Sequence, residues 1–135
     1  MRALKDVKIK FMDKEASCTA LFDTGSGYTV AQRAFFERNF GAKWSKLPRP
    51  IKLYLVNGDF VEADKYAQVI IVIDDVELLP PEVILIVDRF VEEVEVEGRR
   101  VRLPELIIGS GTMDKYGITL DPKKGVKLRG AALLL

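Results

Sequence analysis

An apolar run, Ala20-Leu21-Phe22, carries the chain into Asp23-Thr24-Gly25-Ser26-Gly27 and on into Tyr28-Thr29-Val30. No other segment constrains the fold as much. A strand that ends on an acid in a glycine turn needs a packed core behind it and open space at its tip. Gly25 lets backbone bend and approach closely. Thr24 and Ser26 set hydroxyls beside the acid. Burial pushes a carboxylate toward its neutral form, while hydroxyl and N–H donors pull it back toward the charged form. The bare tripeptide is also what a plain turn looks like, with the acid accepting local backbone N–H groups. Its surroundings must decide.

Those surroundings read as strands. Val7, Ile9 and Phe11 alternate with Lys8 and Lys10, the period of a half-buried strand. Ser17 to Phe22 is a second strand, and Ala31 to Asn39 a short helix ended near Gly41. Ile51, Leu53 and Leu55 alternate before Asn57-Gly58, a strong hairpin signal. The return strand runs through Phe60 and Val61 into Val69–Ile73, and Asp74-Asp75 turns the chain again. Glu82 to Val87 is a buried strand. Phe90 to Leu103 reads as a self-contained hairpin. A Gly98-Arg99 turn would pair Glu97 with Arg100, Glu95 with Arg102, Val96 with Val101 and Val94 with Leu103. Leu106-Ile107-Ile108-Gly109 is a buried run closed by glycine. Thr112 to Tyr116 is a short helix, and Ile118–Asp121 and Val126–Leu128 are late strands around Pro122–Gly125. The class is all-β, mainly strand with one or two short helices.

Hydrophobic residues are 48% and charged residues 30% of the 135, enough apolar material for a core and too much for disorder. The length fits one domain over residues 1–135. The chain has no histidine, which excludes Ser–His and Cys–His catalytic pairs and histidine-ligated metals. No metal and no cofactor is expected. Cys18, the one cysteine, cannot form an internal disulfide and is expected buried in its strand. A net charge of +1 without a dominant basic patch gives no reason to expect a nucleic-acid partner. No run approaches the roughly 20 apolar residues of a membrane span, and the charged start has no leader-like apolar stretch. A cytoplasmic domain is expected.

The strand, the Asp-Thr-Gly-Ser loop, the following helix, the Asn57-Gly58 hairpin and the later Ile107-Ile108-Gly109 run occur in an order that resembles the retroviral-type (retropepsin-like) aspartic proteases. The style is closest to the cellular Ddi1-type protease domains. The resemblance spans about residues 5 to 129. It implies a retropepsin-like acid protease barrel, one domain per chain, working as a C2 homodimer on a peptide or unfolded-protein substrate. Asp23 would be the catalytic aspartate. Thr24 would reach across the dimer axis, Gly25 would present its carbonyl to substrate, and the Ser26 hydroxyl would bond the outer oxygen of Asp23. The flap would be the hairpin Leu55, Val56, Asn57, Gly58, Asp59 and Phe60. Ile107, Ile108 and Gly109 would pack behind the loop. With one Asp-Thr-Gly and no internal repeat, the second carboxylate must come from a second copy.

The chain departs from the viral pattern in several places. Only Gly58 serves the flap. Residues 90–103 form an insertion, Ser110 stands where viral enzymes carry arginine, and 130–135 is an apolar tail that would either join the interface or stay free. Trp44, Tyr54 and Tyr66 are expected to be packing residues. The alternative function is a catalytically weak domain of the same fold that binds peptide or protein. Intact Asp23, Thr24 and Gly25 argue against it, because a scaffold has no use for a buried acid pair.

Overall fold

The computed structural model describes residues 1–54, 60–89 and 93–129, with backbone only at Val94. Within these, the strands are β1 (Arg2–Phe11), β2 (Lys14–Asp23), β3 (Val30–Gln32), β4 (Ser45–Tyr54), β5 (Phe60–Ile73), β6 (Val76–Val87), β7 (Glu93–Val96), β8 (Arg99–Arg102), β9 (Leu106–Gly109), β10 (Ile118–Asp121) and β11 (Gly125–Leu128). The helices are α1 (Arg33–Phe40) and α2 (Ser110–Tyr116).

Alternation along β1 explains the architecture. Val7, Ile9 and Phe11 point inward while the lysines between them face outward. β1 pairs with β2 along its whole length and also with β5, through Lys8↔Val72, Ile9↔Ile71 and Lys10↔Ile70. That second pairing closes the sheet β1-β2-β9-β3-β6-β5 into a barrel, and β4 extends it beyond β5. A barrel this small is filled by its own side chains. Ile9, Phe22, Ile71, Ile84, Ile86 and Ile108 form its sealed centre. Phe35, Phe36 and Phe40 of α1 stop one side, with Phe11 set edge-on to Phe36 at 4.9 Å and Trp44 at 6.1 Å from it. Trp44 is a packing residue, as expected. A second cluster of Val30, Ala63, Leu85 and Val87, with Tyr66 against it, fixes β4 and the start of β5 to the barrel.

The structure corrects the sequence reading at three places in the fold. Ala31 is strand rather than helix, because the backbone of β3 pairs with both β6 and β9; tertiary pairing overrides local helix preference. β6 begins at Val76, well before Glu82. Pro80 and Pro81 are tolerated there because the β5–β6 register slips between Val69↔Glu82 and Ile71↔Leu78, leaving the exposed prolines in an irregularity of the ladder. The hairpin of β7 and β8 turns at Glu97-Gly98, one residue earlier than expected, and pairs Glu95 with Arg100, Glu93 with Arg102, Val94 with Val101 and Val96 with Arg99. Both turn residues have positive φ, 52° and 76°. The observed turn gives glycine the second of these positions, whereas the expected one would have forced arginine there.

Cys18 is half-buried on β2. Burial, then the negative charges of Glu105 and Asp6, push its thiol from the ordinary 9.0 up to about 12. Alkylation needs the thiolate. At pH 8 the folded protein is therefore expected to react with iodoacetamide about a hundredfold more slowly, or slower still, than the same chain in denaturant. A time course under both conditions checks this. The sign for stability follows: between about pH 9 and pH 12 the unfolded chain releases the proton that the folded chain keeps, so this group lowers stability as pH rises through that window.

Candidate active site

β9 decides where the acid stands. It runs between β2 and β3, parallel to the first and antiparallel to the second. β2 ends at Asp23 and β3 begins at Val30, so the loop between them is held at both feet on one strand. Phe22 pairs with Ile108 and Asp23 with Gly109. The turn is further tied down by α2. The Ser110 amide donates to the Ser26 carbonyl at 2.6 Å and the Gly111 amide to the Gly27 carbonyl at 3.3 Å. The first amides of a helix have no partner inside it, and here the loop supplies them. The Gly109 amide donates to the Thr29 hydroxyl at 3.1 Å. Thr29 shares a hydrogen bond with Thr112, which donates to buried Glu82, itself paired with Lys115 at 2.7 Å. This chain of satisfied buried polar groups stiffens the base of the loop.

Asp23 itself is partly exposed. Its Oδ1 accepts the Gly25 amide at 2.8 Å, and its Oδ2 faces the Arg2 guanidinium, with Nε at 3.1 Å. Arg2 also donates from Nη1 to the Glu95 carbonyl of β7 at 3.1 Å. The Thr24 amide donates to the Met1 carbonyl at 3.1 Å, and the Thr24 hydroxyl lies 3.2 Å from the same oxygen. The Ser26 hydroxyl does not touch Asp23. It donates to the Tyr28 carbonyl at 2.8 Å, so its expected bond to the acid is replaced by one that closes the loop on itself. The loop bends back after Gly25: the Ser26 amide is bonded to the Asp23 carbonyl at 3.1 Å, and the Ser26 carbonyl is held by the Ser110 amide of α2 at 2.6 Å.

Two open clefts meet at this loop. One, of about 470 Å³, is lined by Met1, Arg2, Asp23, Thr24, Gly25 and the β7–β8 turn. The other, of about 280 Å³, lies between the loop from Gly25 to Tyr28 and the strands of the β4–β5 arm, with Val30 and Ile107 in its wall. Ile107 is thus a cleft residue, while Ile108 is wholly buried and Gly109 lies beneath the loop. The sequence reading treated both isoleucines as core. Strand alternation held the distinction, since neighbours on β9 must face opposite ways. Tyr54, expected to pack, is instead exposed and stands over Phe60 at 6.2 Å between ring centres. Tyr28, Val30, Lys52, Leu53 and Val61 also line this second cleft and were not anticipated. Leu55, Val56, Asn57, Gly58 and Asp59 of the expected flap lie outside the described residues, as does the tail. The arm that would carry the flap is present, with Tyr54 paired to Phe60 across β4 and β5.

Among the described residues no helix is long and apolar enough to cross a membrane. No protein-family model matches the sequence, and no curated protein matches it. Solved structures do. The retroviral protease-like domain of Ddi1 from Leishmania major superposes with a TM-score of 0.64 at 12% identity, covering 96% of this chain and 90% of that one. The EIAV protease, solved with an inhibitor, superposes with a TM-score of 0.57 at 19% identity, covering 87% of this chain and 89% of that one. At such identities the likeness is one of fold, and it agrees with the closed barrel, the two helices and the strand order described above. The chain has a retropepsin-like fold, the fold of an aspartic protease domain.

Proposed function

We propose that the chain is an aspartic endopeptidase, with Asp23 of two copies forming one active site across a twofold axis. The observation that carries this reading is the placing of Asp23. It stands at the end of a core strand, in a loop braced by β9 and α2, with its carboxylate partly exposed where two clefts meet. In a dimer, two carboxylates a few ångströms apart share one proton, since both cannot ionise side by side. The ionised member takes a proton from water, the protonated member polarises the scissile carbonyl, and no covalent intermediate is needed. Thr24 would bond its counterpart loop, and Gly25 would offer its carbonyl to the peptide. Ile108 and Gly109 brace the loop from behind. An extended peptide would lie in the cleft beside Tyr28, Leu53, Val61 and Ile107, bonded along its backbone by the β4–β5 arm. The flap of residues 55–60 would close over it and exclude water.

A shared site makes activity depend on concentration. Cleavage of a mixed peptide library, followed from acidic to neutral pH, is expected to show specific activity that falls steeply once the protein is diluted below its dimer dissociation constant. Specific activity that stays flat on dilution while the protein sediments as a monomer would remove the shared site. The second reading, a catalytically weak binding domain, is favoured by one observation. Both oxygens of Asp23 are already engaged within the chain. Absence of cleavage at every pH and concentration would support it.

A further inference from the structure

The two side chains that the proposed dimer needs most are both bonded to the first two residues of the same chain. Arg2 holds Oδ2 of Asp23 and Met1 takes the Thr24 amide and lies within reach of its hydroxyl. The arrangement follows from strand register, since Arg2 lies directly opposite Asp23 on the β1–β2 ladder. Arg2 does not rest there loosely. Its Nη1 donates to the Glu95 carbonyl of β7, so Asp23 of β2 and the β7–β8 hairpin hold the guanidinium from two directions. The side chains of Arg2 and Asp23 are 29% and 16% exposed, so the pair is neither buried nor fully screened.

We infer that the start of β1 is an internal latch: Arg2 and Met1 occupy Asp23 and Thr24 in the separate chain, and a second copy must displace them to complete the site. This inference rests on the shared-dyad reading. In the shared-site reading both oxygens of Asp23 are needed for the partner carboxylate, the shared proton and the water, and here a guanidinium occupies Oδ2. It also cancels the charge that the proton would otherwise offset. The latch keeps a lone Asp23 paired, which matters for a carboxylate with few other partners. Its cost is weaker association, because each copy gives up an ion pair before the dimer forms. The hairpin of β7 and β8 is then part of the device, since its Glu95 carbonyl aims the arginine.

The test is the dimer dissociation constant, measured by sedimentation for the wild type, Arg2→Ala and Arg2→Gln, together with the unfolding midpoint of each. Exposed to partly exposed pairs contribute up to about 1 kcal/mol, and each dimer breaks two. The latch therefore predicts dimers tighter by roughly five- to thirtyfold in both variants, and higher specific activity at low concentration. The wild-type dimer should also tighten with moderate salt, which screens the pair. Two folded variants whose dimers are unchanged or weaker than the wild type would overturn the inference. Sedimentation does not depend on catalysis, so the two readings fail separately. Tighter dimers with no cleavage by any form would leave the latch standing and remove the peptidase reading.

Discussion

Replacing Asp23 with asparagine is expected to lower peptide cleavage by about a thousandfold or more while leaving the fold in place. Acid and base roles played by one positioned group each contribute on the order of a hundred to ten thousandfold, and in a homodimer one substitution removes both. The change is otherwise small. Asparagine has the same shape, and its oxygen can still accept the Gly25 amide, now held at 2.8 Å. What it loses is the charge facing Arg2, a partly exposed pair 3.1 Å apart, so stability should move by no more than about 1 kcal/mol. Like charge between the two copies disappears as well, so the variant should dimerise no worse than the wild type. Library cleavage, thermal unfolding and sedimentation of Asp23→Asn together separate chemistry from folding. Cleavage above one tenth of the wild-type rate, with the dimer intact, would mean that Asp23 takes no part in the reaction.

Much of the scaffold was legible in the sequence because it is written in short-range patterns. Alternation at Val7, Ile9 and Phe11, the Asp74-Asp75 turn and the glycine closing β9 each specify their own conformation. What stayed hidden depends on partners distant in sequence. That Ala31 is strand follows only once β6 and β9 are in place beside it. That Ser26 bonds Tyr28 and leaves Asp23 alone depends on how α2 pulls the loop back. The Arg2–Asp23 contact was equally out of reach before the β1–β2 register was known. Counting back along that hairpin from the turn at Met12-Asp13 would have set Arg2 opposite Asp23, but the sequence does not announce that turn. Met12 adopts a positive φ of 55° without being glycine or asparagine. The division of Ile107 and Ile108 between cleft and core was in principle readable from alternation. It was missed because a continuous apolar run looks uniformly buried.

Gly109 is where the second large effect is expected, and the reason is space. Its φ of −93° and ψ of 176° are open to any residue, so conformational freedom does not demand glycine. A methyl group there would lie 2.6 Å from the Ser26 carbonyl oxygen and 2.8 Å from the Tyr28 carbonyl carbon, closer than real side chains come, and closest of all to the Tyr28 oxygen. These obstacles are backbone, and the backbone in question is the loop that carries Asp23. It cannot yield without straining the bonds that Ser110 and Gly111 make to Ser26 and Gly27. Gly109→Ala is therefore expected to destabilise the fold by about 2–4 kcal/mol and to reduce cleavage further than the loss of folded protein explains. Gly111→Ala is the comparison. There the methyl group would meet a single backbone atom, the Gly27 oxygen at 2.9 Å, on the exposed first turn of α2, where alanine's better helix preference offsets part of the strain. Its net destabilisation should be clearly smaller than that of Gly109→Ala. Denaturant unfolding of both variants measures the difference. Equal effects at the two positions would mean that the loop is not held against β9 as tightly as the geometry requires.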